Sequence, residues 1–247
     1  MKKIPETDAI FENVKEANIS SDNDPASLRI SIDTKTKVNI GEFSRGGKKR
    51  SVEAPSACDH DMDSKEKLVP FGILNLDNNQ TDIIFGTSNE TSDFIVDGLE
   101  IWWNKIKKDN DKITEIVINL DNGPQIASGR TQFIRRMIEF ANKINRDIHL
   151  VYYPPYHSKY NPIERCWGNL ERHWNGEILN SVKKAVLCAS TMTWKGVKAT
   201  VSMIDRAYKK GITLSKKEMK KYEKQIQRSK ILPKWDVRIK PIGIGCY

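Results

Sequence analysis

Long apolar runs are missing from this 247-residue chain. No stretch of eighteen apolar residues exists, which excludes a transmembrane helix. The start, MKKIPETDAIFENVKE, has two lysines but no apolar segment behind them, so it does not read as a signal peptide. Cysteine is scarce as well. Cys58, Cys166, Cys188 and Cys246 are scattered, with no C-x-x-C pair. That pattern fits reduced thiols in a cytoplasmic protein and argues against a disulfide framework. Cys58-Asp59-His60-Asp61 has metal-ligating side chains but no matching second half, so zinc is not expected there. The Gly-rich basic stretch Arg45-Gly46-Gly47-Lys48-Lys49-Arg50 lacks Walker spacing and does not support a nucleotide P-loop. Arg45, Lys48, Lys49 and Arg50 read instead as a basic loop beside a phosphate backbone.

What the chain has in excess is positive charge. Its net charge is +9, with 38% hydrophobic and 30% charged residues. Between Asp205 and Lys240 thirteen Lys or Arg face four acids, an excess equal to that of the whole chain. The segment predicts a basic appendage with a polyanion as its partner.

Periodicity divides the remainder. Residues 1–27 are polar, with a weak helical pattern at Ile10, Phe11, Val14 and Ala17, and read as a linker. Leu28–Lys35 alternates as a strand that carries Asp33, and 38–43 continues the alternation, which predicts a hairpin. Val69–Leu76 and Asp82–Thr87 are two further strands. An amphipathic helix over 91–107 follows, in which Trp102 and Trp103 pack rather than stack on bases. Ile113–Leu120 is a strand ending in Asp121-Asn122-Gly123-Pro124, whose turn residues expose Asp121 at the sheet edge. A second helix spans 130–144, and the strand 149–153 follows it. Beyond these, helices are expected at about 178–190, 196–210 and 215–228, then an irregular ending.

The strand 149–153 leads into Tyr152–Trp167, YYPPYHSKYNPIERCW. Asn161-Pro162-Ile163-Glu164 has the features of a helix start: Asn as N-cap, Pro in the first turn, Glu third. Alone, Glu164 could be only the acceptor of a capping box. The order of the acids alters that reading. Asp33 on the first strand, Asp121 at the end of a later one and Glu164 on the helix after the last match an α/β, ribonuclease H-like fold. In that mixed five-stranded sheet flanked by helices, the first and fourth strands are neighbours. Two divalent ions clamping a phosphodiester displacement need such oxygen ligands. Three unpaired carboxylates in a dry site would otherwise be strongly unfavourable. Asp61 and Asp77 are the substitutes for the first acid should Asp33 point elsewhere.

The motif Tyr153-Pro154-Pro155-Tyr156 with Asn161-Pro162-Ile163-Glu164 resembles the third-acid motif of transposases related to the Tc/mariner superfamily. The span from Leu28 to Lys195 resembles the Rhodopirellula-type (Azo-thirteen-like) transposase DDE domain. Ser31–Lys35, Gly41–Gly47, Gly86–Ser92, Leu120–Pro124 and Thr193-Trp194-Lys195-Gly196 carry that resemblance in order. It implies metal-dependent DNA cleavage and strand transfer at insertion-sequence ends by a DDE polynucleotidyl transferase. Asp33, Asp121 and Glu164 would be the catalytic ligands of two Mg²⁺ ions, with Mn²⁺ as a substitute. Double-stranded DNA would be the partner, a homo-oligomer the working form, and the cytoplasmic nucleoid the location. His157, Lys159 and Lys195 join the basic loop as candidate DNA contacts. The resemblance also implies an N-terminal DNA-binding module, and only some 27 residues precede the first strand, so the chain reads as truncated. Three segments are expected: a linker remnant (1–27), a catalytic domain (28–195) and a basic helical extension (196–247). A ribonuclease H-like nuclease without strand transfer, or an inactive remnant that only binds DNA, would use the same residues.

Overall fold

A computed structural model describes residues 3–48, 50, 57, 58, 64 and 66–242. The chain opens with α1 (Thr7–Asp22), where a linker was expected. Ile10 and Val14, one helical turn apart, are buried in the main core with Phe11 and Ala17 packed beside them, so a short apolar stripe seats this polar helix on the sheet.

Strand β1 (Ser27–Thr34) follows, and then β2 (Val38–Ile40). The expected hairpin between them does not form. Both lie along β3 (Glu66–Asn75): β1 is antiparallel to its second half, β2 to its first. Lys35-Thr36-Lys37 has none of the Asn-Gly or Gly-X chemistry that reverses a chain in two residues, so the backbone continues forward along the same neighbour. Strand β4 (Thr81–Gly86) returns antiparallel to β3. Helix α2 (Ser92–Ile106) starts at Thr91, whose hydroxyl accepts the Phe94 N–H. Then come β5 (Glu115–Leu120), α3 (Thr131–Ile144) and β6 (Asp147–Tyr152), with β1, β5 and β6 mutually parallel. Helix α4 (Ile163–Trp174) and α5 (Val182–Ala189) complete the expected elements.

The C-terminal third differs from the helical expectation. Thr193–Trp194 (β7) and Val197–Lys198 (β8) form a small hairpin, reversed at Lys195 and Gly196, both with positive φ. Strand β9 (Thr200–Ile204) then joins β4 in parallel. After β9, only Lys216–Met219 (α6) and a 3-10 stretch at Lys220–Gln225 are helical among the described residues. Strands β10 (Ile226–Arg228) and β11 (Asp236–Ile239) extend the sheet beyond β6, with Val237 and Ile239 fully buried. Tertiary pairing overrides a lysine-rich composition here, because a strand needs only alternate apolar side chains to fit a sheet edge.

The sheet order is β10-β11-β6-β5-β1-β3-β4-β9. Its middle, β6-β5-β1-β3-β4, is the five-stranded arrangement expected from the acids, enlarged at both edges. Adjacent residues of β3 report the two faces. A Cβ on Gly72 would meet Trp167 of α4, while Phe71 packs against Phe94 and Gly98 of α2. Helices α1 and α4 therefore cover one face, and α2 with α3 the other.

Candidate active site

Parallel pairing of β1 and β5 sets Ser31 beside Asn119. With a side-chain period of two, the next pair on the same face is Asp33 and Asp121. That face is the one covered by α1 and α4: Asn119 donates to Asn18 of α1 (2.9 Å), and Ser31 contacts Asn161 at the entry to α4. Asp33 is near the carboxyl end of β1. Asp121 follows the last residue of β5, where its carboxylate accepts the Gly123 N–H (3.1 Å) and stabilises the turn that ends the strand.

The start of α4 is sewn onto β1. The Ser31 hydroxyl donates to Asn161 Oδ1 (2.5 Å) and accepts the Ile163 N–H (3.0 Å), while Asn161 Nδ2 donates to the Ile32 carbonyl (2.9 Å). Asn161 thus does not cap α4 with its own side chain, as the sequence predicted. The cap is supplied by Ser31 from a strand 132 residues away, and Asn161 clamps the junction. Both residues are fully buried. No capping box forms, and among the described residues the Glu164 carboxylate makes no hydrogen bond or ion pair. Glu164 therefore projects from the first turn with its carboxylate uncommitted.

Electrostatics tie the three acids together. Burial, then the charge of Asp121, then that of Glu164 push Asp33 up to about 8. Two neutral donors oppose this, the Trp167 indole N–H at 2.8 Å from Asp33 Oδ2 and the Thr34 backbone. Burial also raises Asp121 above the ordinary aspartate value. No cation among the described residues pairs with Asp33 or Asp121. Among those residues no group of three or more His, Cys, Asp or Glu side chains is already arranged to hold a metal ion, so any ion would have to draw the three acids closer. The acids form an electrostatically coupled set with oxygen donors only, which suits a hard divalent ion that keeps several of its waters. The donor chemistry fits Mg²⁺ or Mn²⁺.

Of the two substitutes for the first acid, Asp77 does not compete. Asp77 lies after β3, where the nearby charges are Asp22 and Arg29. Asp61, with the rest of the Asp59–Asp61 group, falls outside the described residues.

The candidate DNA contacts are dispersed around this edge. Arg45 is committed to Glu171 of α4 (2.7 Å) and lies over the Trp174 ring, and Lys35 reaches Glu171 as well (2.5 Å). Burial opposes ionisation of Glu171, but the Lys35 and Arg45 contacts hold it below the usual glutamate value. This pairing pins the Gly-rich loop against α4, with Lys48 and Arg50 exposed beyond it; Lys49 is outside the described residues. His157 is buried, with Nδ1 2.7 Å from the Pro155 carbonyl and its ring between Phe11 and Tyr160. It packs the loop onto α1. Lys159 is exposed over the Tyr160 ring, and Lys195 is exposed at the β7–β8 turn. A cleft of about 200 Å³ opens between Asp121–Gly123 and Pro154–Tyr156, directly beside the second acid.

Sequence reading missed three functional neighbours: Ser31, Gly72 and Trp167. Trp167 lies one turn after Glu164 and so shares its face of α4, which was a usable signal. Ser31 and Gly72 reach the site only through strand pairing.

Comparison with known proteins bears on the fold and the family. The structure is similar to a Mos1 transposase paired-end complex with the left transposon end, at 11% identity and a TM-score of 0.50 over 74% of this chain and 53% of that one. A Mos1 mariner paired-end complex with Mn gives 10% identity and a TM-score of 0.49, covering 74% and 53%. The chain thus spans about half the length of these structures. No curated protein matched its sequence. The fold is the mixed α/β, ribonuclease H-like class. The Rhodopirellula transposase DDE domain matches residues 1–241, so α1 and the C-terminal strands lie within the match, and the chain belongs to that family.

Proposed function

We propose that this chain is the catalytic part of a DNA transposase, cleaving double-stranded DNA at insertion-sequence ends and transferring the cut strand. One observation carries the reading: Asp33, Asp121 and Glu164, from two neighbouring strands and a helix start, form a coupled carboxylate set with no cationic partner among the described residues. Asp33, Asp121 and Glu164 would hold two divalent ions, Mg²⁺ or Mn²⁺. When bound, these supply charge stabilisation to the phosphodiester undergoing in-line displacement by water and then by a DNA 3′-hydroxyl. Alone, Asp33 retains a proton at neutral pH, because burial and two neighbouring acids oppose its ionisation.

The chain's own groups would orient the rest. The Asn161–Ser31 clamp holds the helix that carries Glu164 over β1. The Gly123 N–H holds Asp121 at the mouth of the cleft. Exposed Lys48, Arg50, Lys159 and Lys195 would contact phosphates, an interaction that weakens steeply with salt. The same reading includes a homo-oligomer working on paired DNA ends near the nucleoid. It also takes residues 28–195 as the catalytic segment, with α1 and the C-terminal strands built onto its sheet. Among the described residues no helix is long and apolar enough to cross a membrane.

The test is nicking and joining of DNA by the purified chain. With Mg²⁺ or Mn²⁺ the wild type should nick duplex DNA and join a pre-cut end to a second duplex, and Asp121→Asn should do neither. Nicking without joining would reduce the reading to a nuclease. Salt-sensitive binding without nicking, unchanged by Asp121→Asn, would leave a DNA-binding remnant and end the catalytic reading.

A further inference from the structure

Asp33 has one side-chain hydrogen-bond partner among the described residues, and it is unusual. The donor is the indole N–H of Trp167, 2.8 Å from Oδ2. An indole nitrogen can donate but cannot accept, carries no charge, and cannot be a metal ligand. It therefore satisfies one oxygen of the acid without neutralising it and without competing for a cation. A lysine in that place would fill the site with its own charge, as Arg136 does within the acids of α2 and α3.

Two further observations make this contact a built feature. The residue paired with Asp33 across β3 is Gly72. A Cβ there would come within 2.6 Å of the Trp167 ring and 3.0 Å of Ile163. Real Cβ atoms essentially never approach that closely, so the indole reaches Asp33 only because position 72 has no side chain. Trp167 also follows Glu164 by three residues on α4, which places both on one helix face. The turn that presents the third acid thus touches the first.

We propose that Trp167 is a positioning residue for the metal site: through its N–H it fixes the Asp33 carboxylate, and through α4 it sets the spacing between Asp33 and Glu164, with Gly72 as the clearance that permits the contact. This rests on the reading of Asp33, Asp121 and Glu164 as ligands of a divalent ion. The indole takes only one lone pair of Oδ2 and so does not itself occupy Oδ1. Ile163 and the ring belong to the same buried apolar cluster.

The experiment measures Mn²⁺ binding to DNA-free protein by the electron paramagnetic resonance of free Mn²⁺, so no turnover is involved. Trp167→Phe keeps the ring and removes the donor, and Gly72→Ala displaces the ring. Each should weaken Mn²⁺ binding by about 10-fold, the lower end for loss of a partner that orients a metal ligand. Asp33→Asn is the reference and should abolish tight binding. If Trp167→Phe binds Mn²⁺ like wild type while Asp33→Asn does not, the positioning role is wrong and the metal site stands. Binding unchanged in both would overturn the ligand assignment and this proposal with it. Should the variants fail to fold, the indole N–H resonances of ¹⁵N-labelled wild type decide. One of the six tryptophans should shift on Mg²⁺ addition, and six unmoved resonances would overturn the proposal.

Discussion

Two clusters of carboxylates lie on opposite faces of the same sheet, and their partners differ. On the α2–α3 side, Asp93, Asp97, Glu100 and Glu139 surround the Arg136 guanidinium at 3.2, 2.6, 3.5 and 2.9 Å. Arg206 and the Tyr208 hydroxyl add contacts to Asp97, and Lys143 to Glu100. On the α1–α4 side, Asp33, Asp121 and Glu164 have, among the described residues, only the Trp167 indole and backbone N–H groups. The first cluster is internally neutralised and joins two helices. The second has no cationic partner among the described residues, and its burial and mutual repulsion hold a proton on Asp33, which suits the divalent ions proposed for it. Acid count does not separate structure from site; the presence of a resident cation does.

Substitutions can break this contrast. The largest effect is expected from Asp33→Asn, which should remove metal-dependent nicking while making the metal-free protein more stable at alkaline pH. The sign follows from the folded-state value of about 8 against an ordinary 3.8. The folded protein holds a proton there that the unfolded chain releases, so this group costs stability increasingly from about pH 4 up to about pH 8. The melting temperature of Asp33→Asn should therefore exceed that of wild type by a margin that widens between pH 5 and pH 8. Mg²⁺ should narrow the margin at pH 8 by stabilising wild type alone. A constant margin would mean that Asp33 is not strained by its neighbours.

Arg136→Met should give the opposite result on the other face. Removing the shared cation leaves four partly buried acids facing one another, and loss of about 3 kcal/mol in urea unfolding is expected. A loss below about 1 kcal/mol would show that the helices are held by apolar packing alone. Ser31→Ala should be milder. It removes the bridging hydroxyl, leaving Asn161 Oδ1 and the Ile163 N–H without it, at a cost of about 1–2 kcal/mol. Hydrogen exchange at the first turn of α4 should rise more than exchange in α3, since only α4 loses a cap.

Much of the acid edge was legible before folding is considered. Asp121 is announced by a β-rich run ending in Asn-Gly-Pro, and Glu164 by Asn-Pro-Ile-Glu at a helix start. Asp33 stands on a strand whose alternation is plain. The positions of β9 and β11 were not legible, because strands of five and four residues in a lysine-rich segment are too short for their alternation to stand out until a neighbour pairs with them. Nor was the true role of Asn161. As an N-cap it satisfied every local rule, yet its amide spans to β1, a contact 129 residues apart in sequence.

The sequence by itself determined which acids exist, that each ends or begins an element, and that α1, α2, α3 and α4 have apolar residues at helical spacing. Those are local consequences of periodicity and turn chemistry. Only tertiary structure decided that Ser31 caps a distant helix, that Gly72 opens the path for Trp167, and that Arg136 neutralises the acids of α2 and α3. Each of these depends on through-space distances of a few ångströms between residues far apart in the chain, and such distances are set by how strands pair and how helices pack.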